Sequence, residues 1–197
     1  MALKAPEPRK PEPIRFRFDE RRAAAAASFL LDLSGGSLEY MALIKLLYFA
    51  DRESLDIRGR PISGDRFVSM RNGPVLSTVY ELVRLTIAGQ QTRGPWAERI
   101  EGDGRYRVRL RSRPDVSPLS EADLAILREV FAQSRKDSRW TLRDKSHQLP
   151  EWEDPGDSSR EIRIETVLQV LGKTEAEIDE IREAAREAAH FKTLFGR

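Results

Sequence analysis

Ile44-Lys45-Leu46-Leu47-Tyr48-Phe49-Ala50-Asp51-Arg52 is the stretch that decides the fold. From Tyr40 to Ala50 the only charge is Lys45, so a helix built here is apolar around nearly its whole circumference. Such a helix belongs at the centre of a core rather than on its surface. Ser37 is its expected N-cap, and the helix is predicted to run to residue 56. Gly59, Pro61 and Gly64 then impose a turn, and the short segment 66–70 is β-prone. Asn72-Gly73-Pro74 is expected to open a third helix, with Pro74 at the first helical position, where its missing N–H costs nothing. Val75, Leu76, Val79, Leu82, Val83 and Ile87 follow at helical spacing, and Gly89 ends the run.

Upstream, Pro6, Pro8, Pro11 and Pro13 remove donors and restrict their predecessors, so residues 1–13 are expected to form a disordered arm. Ile14 to Phe18 should lie flat on the body with aromatics inward and arginines outward. Residues 19–33 are predicted helical: Asp19 and Glu20 suit the positive end, and Ala23 to Ala27 have the best propensity. Downstream, 93–104 reads as a loop around Gly94-Pro95-Trp96. Residues 105–111 alternate strictly and give the clearest strand, expected to pair with 66–70 in a small antiparallel sheet. Ser120 should cap a helix over 121–133, with Leu124, Leu127, Val130 and Phe131 inward. Residues 138–148 read as a short helix, 149–159 as a loop and 162–171 as a helix. Thr174 and Glu177 form a capping box for a last helix over 175–194. Its Ala184, Ala185, Ala188 and Ala189 would let another helix approach closely, so it either dimerises or caps the monomer. The expected fold class is mainly α: a compact helical domain with a small antiparallel β element of about two short strands inserted between helices. The expected organisation is an arm over 1–13, a domain over 14–159, and a helical extension over 160–197 packed on that domain.

With 197 residues, 40% of them apolar and 34% charged, the chain can bury one good core. No apolar run is long enough for a membrane span. Residues 1–13 lack an apolar segment of the secretory type, which makes cytoplasmic residence the default expectation. The absence of cysteine excludes disulfides, thiol catalysis and Cys-ligated zinc. A net charge of +2 hides an asymmetry. Residues 1–118 hold 21 Lys/Arg against 15 Asp/Glu, and residues 119–197 hold 13 against 17. A dipole this mild does not specify nucleic acid.

The ordered set Lys45-Leu46-Leu47-Tyr48, Gly59 and Pro61, Asn72-Gly73-Pro74-Val75, Tyr80, Leu119-Ser120, Leu142, Ser146-His147 and Trp152 resembles the Panacea domain, also called the SocA-like antitoxin family. The resemblance spans residues 40–152. It implies a mostly helical fold with a small β insertion, and an antitoxin that neutralises its toxin by direct protein contact or hands it to a cellular protease. It implies mainly structural roles for these motif residues. Asp51-Arg52 stands where the family often carries a His-Gly pair, and Met70 where an aromatic is usual. Both positions are expected near the surface end of the pattern, where a change would retune partner choice.

Lys45, alone on its apolar helix, must snorkel, pair or titrate. It is either a buried ion pair or partner contact, or a stem that reaches solvent or pairs with Glu39 or Asp51. Asn72-Gly73-Pro74 is either an anion-binding nest or a sterically demanded turn. Arg105, Arg107, Arg109, Arg111 and Arg113 fall on one strand face, with Tyr106, Val108 and Leu110 on the other. That stripe is either a dock for an acidic toxin surface or nucleic acid, or a solvated face that blocks edge-to-edge association. Arg105, Arg107, Arg109, Arg111, Asp51 and Arg52 are the candidate partner contacts. His147 and His190 stand apart, with no nucleophile–base pattern and no metal-ligand spacing, so no catalysis, metal or cofactor is expected.

The expected function is therefore an antitoxin. The alternative is a winged-helix-like DNA-binding regulator, in which residues 75–87 would read bases. That segment offers only Arg84 as a basic residue, whereas base reading calls for Arg, Asn or Gln near the helix start.

Overall fold

The computed structural model describes residues 12–90 and 93–195. Its centre is the predicted apolar helix, here α2 (Tyr40–Arg58), which buries residues on every side from Ala42 to Leu55 and is closed by Gly59. Against it pack α1 (Glu20–Leu33), α5 (Glu121–Ser134) and α6 (Arg139–His147). Ala23 to Ala27 are all buried in α1, because methyl side chains let three neighbouring elements approach one helix closely. Asp19 caps α1 by accepting from the Arg22 N–H, and Ser120 with Asp123 forms a full capping box on α5. Among the described residues the remaining helices are α3 (Ser77–Ile87), α4 (Pro95–Arg99), α7 (Ile164–Val170) and α8 (Glu175–Phe195). The Thr174–Glu177 box opens α8 as expected, and Ile178 and Ala185 tie it into the common core. No helix among the described residues is long and apolar enough to cross a membrane.

Mainly α with small antiparallel sheets is the observed class, but the β content is larger and differently connected than expected. Among the described residues six short strands form two three-stranded antiparallel sheets. One has the order β1 (Ser37–Glu39), β5 (Arg107–Leu110), β4 (Ile100–Gly102). The other has the order β3 (Val75–Leu76), β2 (Phe67–Ser69), β6 (Arg160–Ile162). The expected pairing of 66–70 with 105–111 does not occur. Phe67 lies opposite Leu76 and Ile162, while Val108 lies opposite Leu38 and Gly102.

Four expected elements shift. Ser37 is a strand residue rather than a helix cap, and the helix begins at Tyr40 without a side-chain cap. Pro74 precedes β3, so the third helix starts at Ser77, and the distant Asp65 caps it by accepting from the Val79 N–H (2.9 Å) and the Thr78 hydroxyl (2.8 Å). The 93–104 loop contains α4 and β4, and the expected 162–171 helix begins two residues late as α7, with Ile162 ending β6.

Ile14 to Phe18 runs along the body with Ile14 buried, Phe16 and Phe18 half-buried, and Arg15 and Arg17 exposed. The Ile14 N–H donates to Glu165, and Gly64 lets the segment pass, since a Cβ there would stand 2.2 Å from the Arg17 carbonyl oxygen. The expectation for the N-terminal arm falls almost wholly on residues 1–11, outside the described residues.

Candidate functional site

The motif residues converge on the loop 70–74. Lys45 rises from α2, 1% exposed, and its Nζ donates to the Pro74 carbonyl at 2.8 Å. It neither snorkels nor meets Glu39 or Asp51. Burial, with a smaller contribution from the Arg143 charge, pulls its pKa from 10.5 to about 7. Gly73, at φ +88°, lies between Lys45 and α6. A Cβ there would stand 2.3 Å from Ser146 Oγ, 2.8 Å from Lys45 Nζ and 3.0 Å from His147 Cδ2. The glycine is thus required by both backbone conformation and space.

On the outer side His147 stacks on Trp152, ring centroids 4.2 Å apart and 10° from parallel, and the Trp152 indole N–H donates to the Met70 carbonyl at 3.0 Å. Burial lowers the His147 pKa, as do the Lys45 and Arg143 charges, so the imidazole is neutral near pH 7. The loop is therefore gripped by α2 on one side and by α6 and the residues after it on the other, with Arg71 and Asn72 presented to solvent. Pro74 and Val75 are buried, Tyr80 is half-buried against Arg84, and Leu46, Leu47 and Pro61 belong to the interior.

One helical turn along α2, Tyr48 donates to Glu151 at 3.1 Å, and the Arg52 guanidinium engages the same carboxylate at 2.7 Å. Burial, then Glu151, push the Tyr48 hydroxyl well above its ordinary value. Arg52, expected to face a partner, spends its charge on Glu151, whose side chain is fully buried. Asp51, also expected to face a partner near the surface, is buried instead. It accepts from the backbone of Ile62 (2.9 Å) and Ser63 (3.0 Å) and from the Ser63 hydroxyl, pinning the loop after α2. Burial raises its pKa to about 7, against the opposing hydrogen bonds from Ser63 and Ile62.

Sequence reasoning missed the second charged centre. Asp123, with its side chain fully buried, holds both Arg22 and Arg58. Burial pushes its pKa up, but the Ser120 hydrogen bonds and Arg22 bring it below the ordinary value. The capping box at Ser120 was a local signal for that aspartate; nothing local marks its arginines.

The arginine stripe is exposed, with Val108 inward as alternation demands, yet much of it is engaged. Arg107 donates to the Ser37 hydroxyl (3.1 Å), and Arg109 and Arg111 share Glu101 (2.8 and 3.3 Å). Arg105 lies over the Tyr106 ring at 5.2 Å, and Tyr106, expected to face the core, is 47% exposed at the strand's end. Arg84, the one basic residue on the would-be recognition helix, pairs with Glu81 at 3.0 Å. Among the described residues no three His, Asp or Glu side chains gather as metal ligands. A groove of about 560 Å³ runs between α8 and the loop after α2, lined by Ala184, Ala185, Ala188 and Ala189 on the α8 side.

No curated protein and no solved structure matches the chain. A family profile, the SocA-like antitoxin Panacea domain, matches residues 43–153, which takes in most of α2, the gripped loop, α6 and Trp152. The chain therefore belongs to the SocA-like antitoxin family of Panacea-domain proteins.

Proposed function

We propose that this chain is the antitoxin of a two-gene toxin–antitoxin system and neutralises its cognate toxin by direct protein–protein contact in the cytoplasm. Family membership across 43–153 is the observation that carries this reading. The layout of the motif residues supports it, because they secure a rigid helical body and leave surface loops and strand faces free for recognition. Arg105, Arg107, Arg109 and Arg111 are the contacts we assign to the toxin, with their carboxylate partners Glu101 and Asp103 setting the local charge. Neutralisation by occlusion needs no bond chemistry from the chain; delivery to a protease would use the same contact.

The test is co-expression with the product of the adjacent reading frame. That product alone should arrest growth; together with this chain growth should resume, and the two should copurify in fixed stoichiometry. Absence of toxicity, or toxicity that the chain neither relieves nor binds, overturns the reading. The DNA-binding alternative predicts gel shifts with steep salt dependence, which a protein that binds only its toxin lacks.

A further inference from the structure

Five side chains from two distant segments interleave on the surface where the turn before β5 lies beside the start of α6. Arg105 lies over Tyr106 (5.2 Å), Arg139 over both Tyr106 (5.8 Å) and Trp140 (4.8 Å), and Arg143 over Trp140 (5.0 Å). Trp140 and Tyr106 are each 47% exposed. The chain has three tryptophans; Trp96 is wholly buried and Trp152 is half-buried and stacked on His147, so Trp140 is the most exposed of them.

We infer that the Arg105–Tyr106–Arg139–Trp140–Arg143 stack is the anchor by which this antitoxin grips its toxin, taking an apolar protein surface with polar groups at its rim. The inference rests on the antitoxin reading and narrows it to one patch. Trp, Tyr and Arg are the residues that dominate the energetics of protein interfaces, and here they form one contiguous group. The stack is also preorganised. Arg139 is tied to Glu39 (2.6 Å) and Arg143 to Asp144 (2.6 Å), so each guanidinium is fixed before a partner arrives and less side-chain entropy is lost on binding. Half-exposed aromatic rings held this way add little to the fold, whereas covering them would remove apolar area from water at the centre of an interface.

The same ion pairs argue against nucleic acid. Aromatic platforms for single strands sit in grooves of uncompensated positive charge. Here Arg139 and Arg143 each face a carboxylate, Arg109 and Arg111 share Glu101, and the ring faces already carry guanidinium groups.

The experiment measures the affinity of full-length Trp140→Ala, Tyr106→Ala and Trp140→Phe for the purified product of the adjacent reading frame, with Ile57→Ser as a control. Ile57 is 63% exposed and away from the stack. Trp140→Ala should weaken binding by about 30-fold or more, the hot-spot threshold of about 2 kcal/mol. Tyr106→Ala should weaken it by about tenfold, Trp140→Phe should restore most of the affinity, and Ile57→Ser should leave it unchanged. Circular dichroism and melting temperature should be unaltered in all four. In parallel, Trp140 fluorescence should respond to the adjacent product and not to oligo(dT).

If the wild type does not bind the adjacent product, the antitoxin reading fails and this inference with it. If the wild type binds and Trp140→Ala binds equally, only the anchor assignment is overturned. A salt-sensitive response to oligo(dT), lost in Trp140→Ala, overturns it in favour of nucleic acid.

Discussion

The grip on loop 70–74 and the stack at Trp140 use similar residue types to opposite ends. In the first, Lys45, Trp152 and Gly73 face inward and their polar atoms are directed at the chain's own backbone. In the second, Trp140, Tyr106 and their arginines face water, tied only to one another and to surface carboxylates. The family motif contributes Lys45, Gly73, Pro74, His147 and Trp152 to the first region and no residue to the second, so it reports architecture there. The comparison predicts that changes in the grip cost stability and changes in the stack cost binding.

Tyr48→Ala should break the interior most severely. Tyr48 packs edge-on against Phe67 at 5.2 Å and donates to the buried Glu151, so its truncation should cost about 3–5 kcal/mol in urea unfolding. Gly73→Ala comes next: positive φ and contacts of 2.3 and 2.8 Å should together cost about 2–4 kcal/mol. A loss below about 0.5 kcal/mol in either variant would dissolve the contrast between the two regions.

Lys45 and Asp51 sharpen it through pH. The Lys45 pKa is depressed in the folded chain, to about 7 from 10.5, so its contribution is fully present above the unfolded value and lost as pH falls toward 7. The Asp51 pKa is raised to about 7 from 3.8, so its contribution is present below the unfolded value and lost as pH rises from 4 to 7. Lys45→Met should therefore flatten the stability profile between pH 7 and 10, and Asp51→Asn between pH 4 and 7. Urea midpoints across pH, taken as wild-type minus variant differences, check both windows.

The smallest stability effects belong to the surface. Arg107→Glu with Arg109→Glu should change unfolding free energy by no more than about 1 kcal/mol, as exposed pairs do, while impairing toxin binding. Unaltered binding in that double variant would leave the stripe a solvated face.

How much of this was legible follows from the range of each signal. Asp19, Ser120 with Asp123, and Thr174 with Glu177 cap helices within three residues, and α1, α5 and α8 start where those caps stand. The apolar run around Lys45 placed α2 centrally because one helix carries the whole pattern. Strands of two or three residues have no period to read, and β6 meets β2 across more than 90 residues, so the sheets were misassigned. The same limit hid the stack: Tyr106 and Trp140 are ordinary residues until Arg139 bridges them. Asp51 looked like a surface residue because the family pattern varies there, yet the turn after α2 needs its carboxylate inside.

Amide hydrogen exchange of the full chain, free and bound to the product of the adjacent reading frame, tests the division of labour most directly. The account predicts new protection over residues 103–111 and 138–144, with the slow exchange of α2 unchanged. New protection confined to Arg71-Asn72 and the gripped loop, with the Trp140 segment exchanging as before, would contradict it.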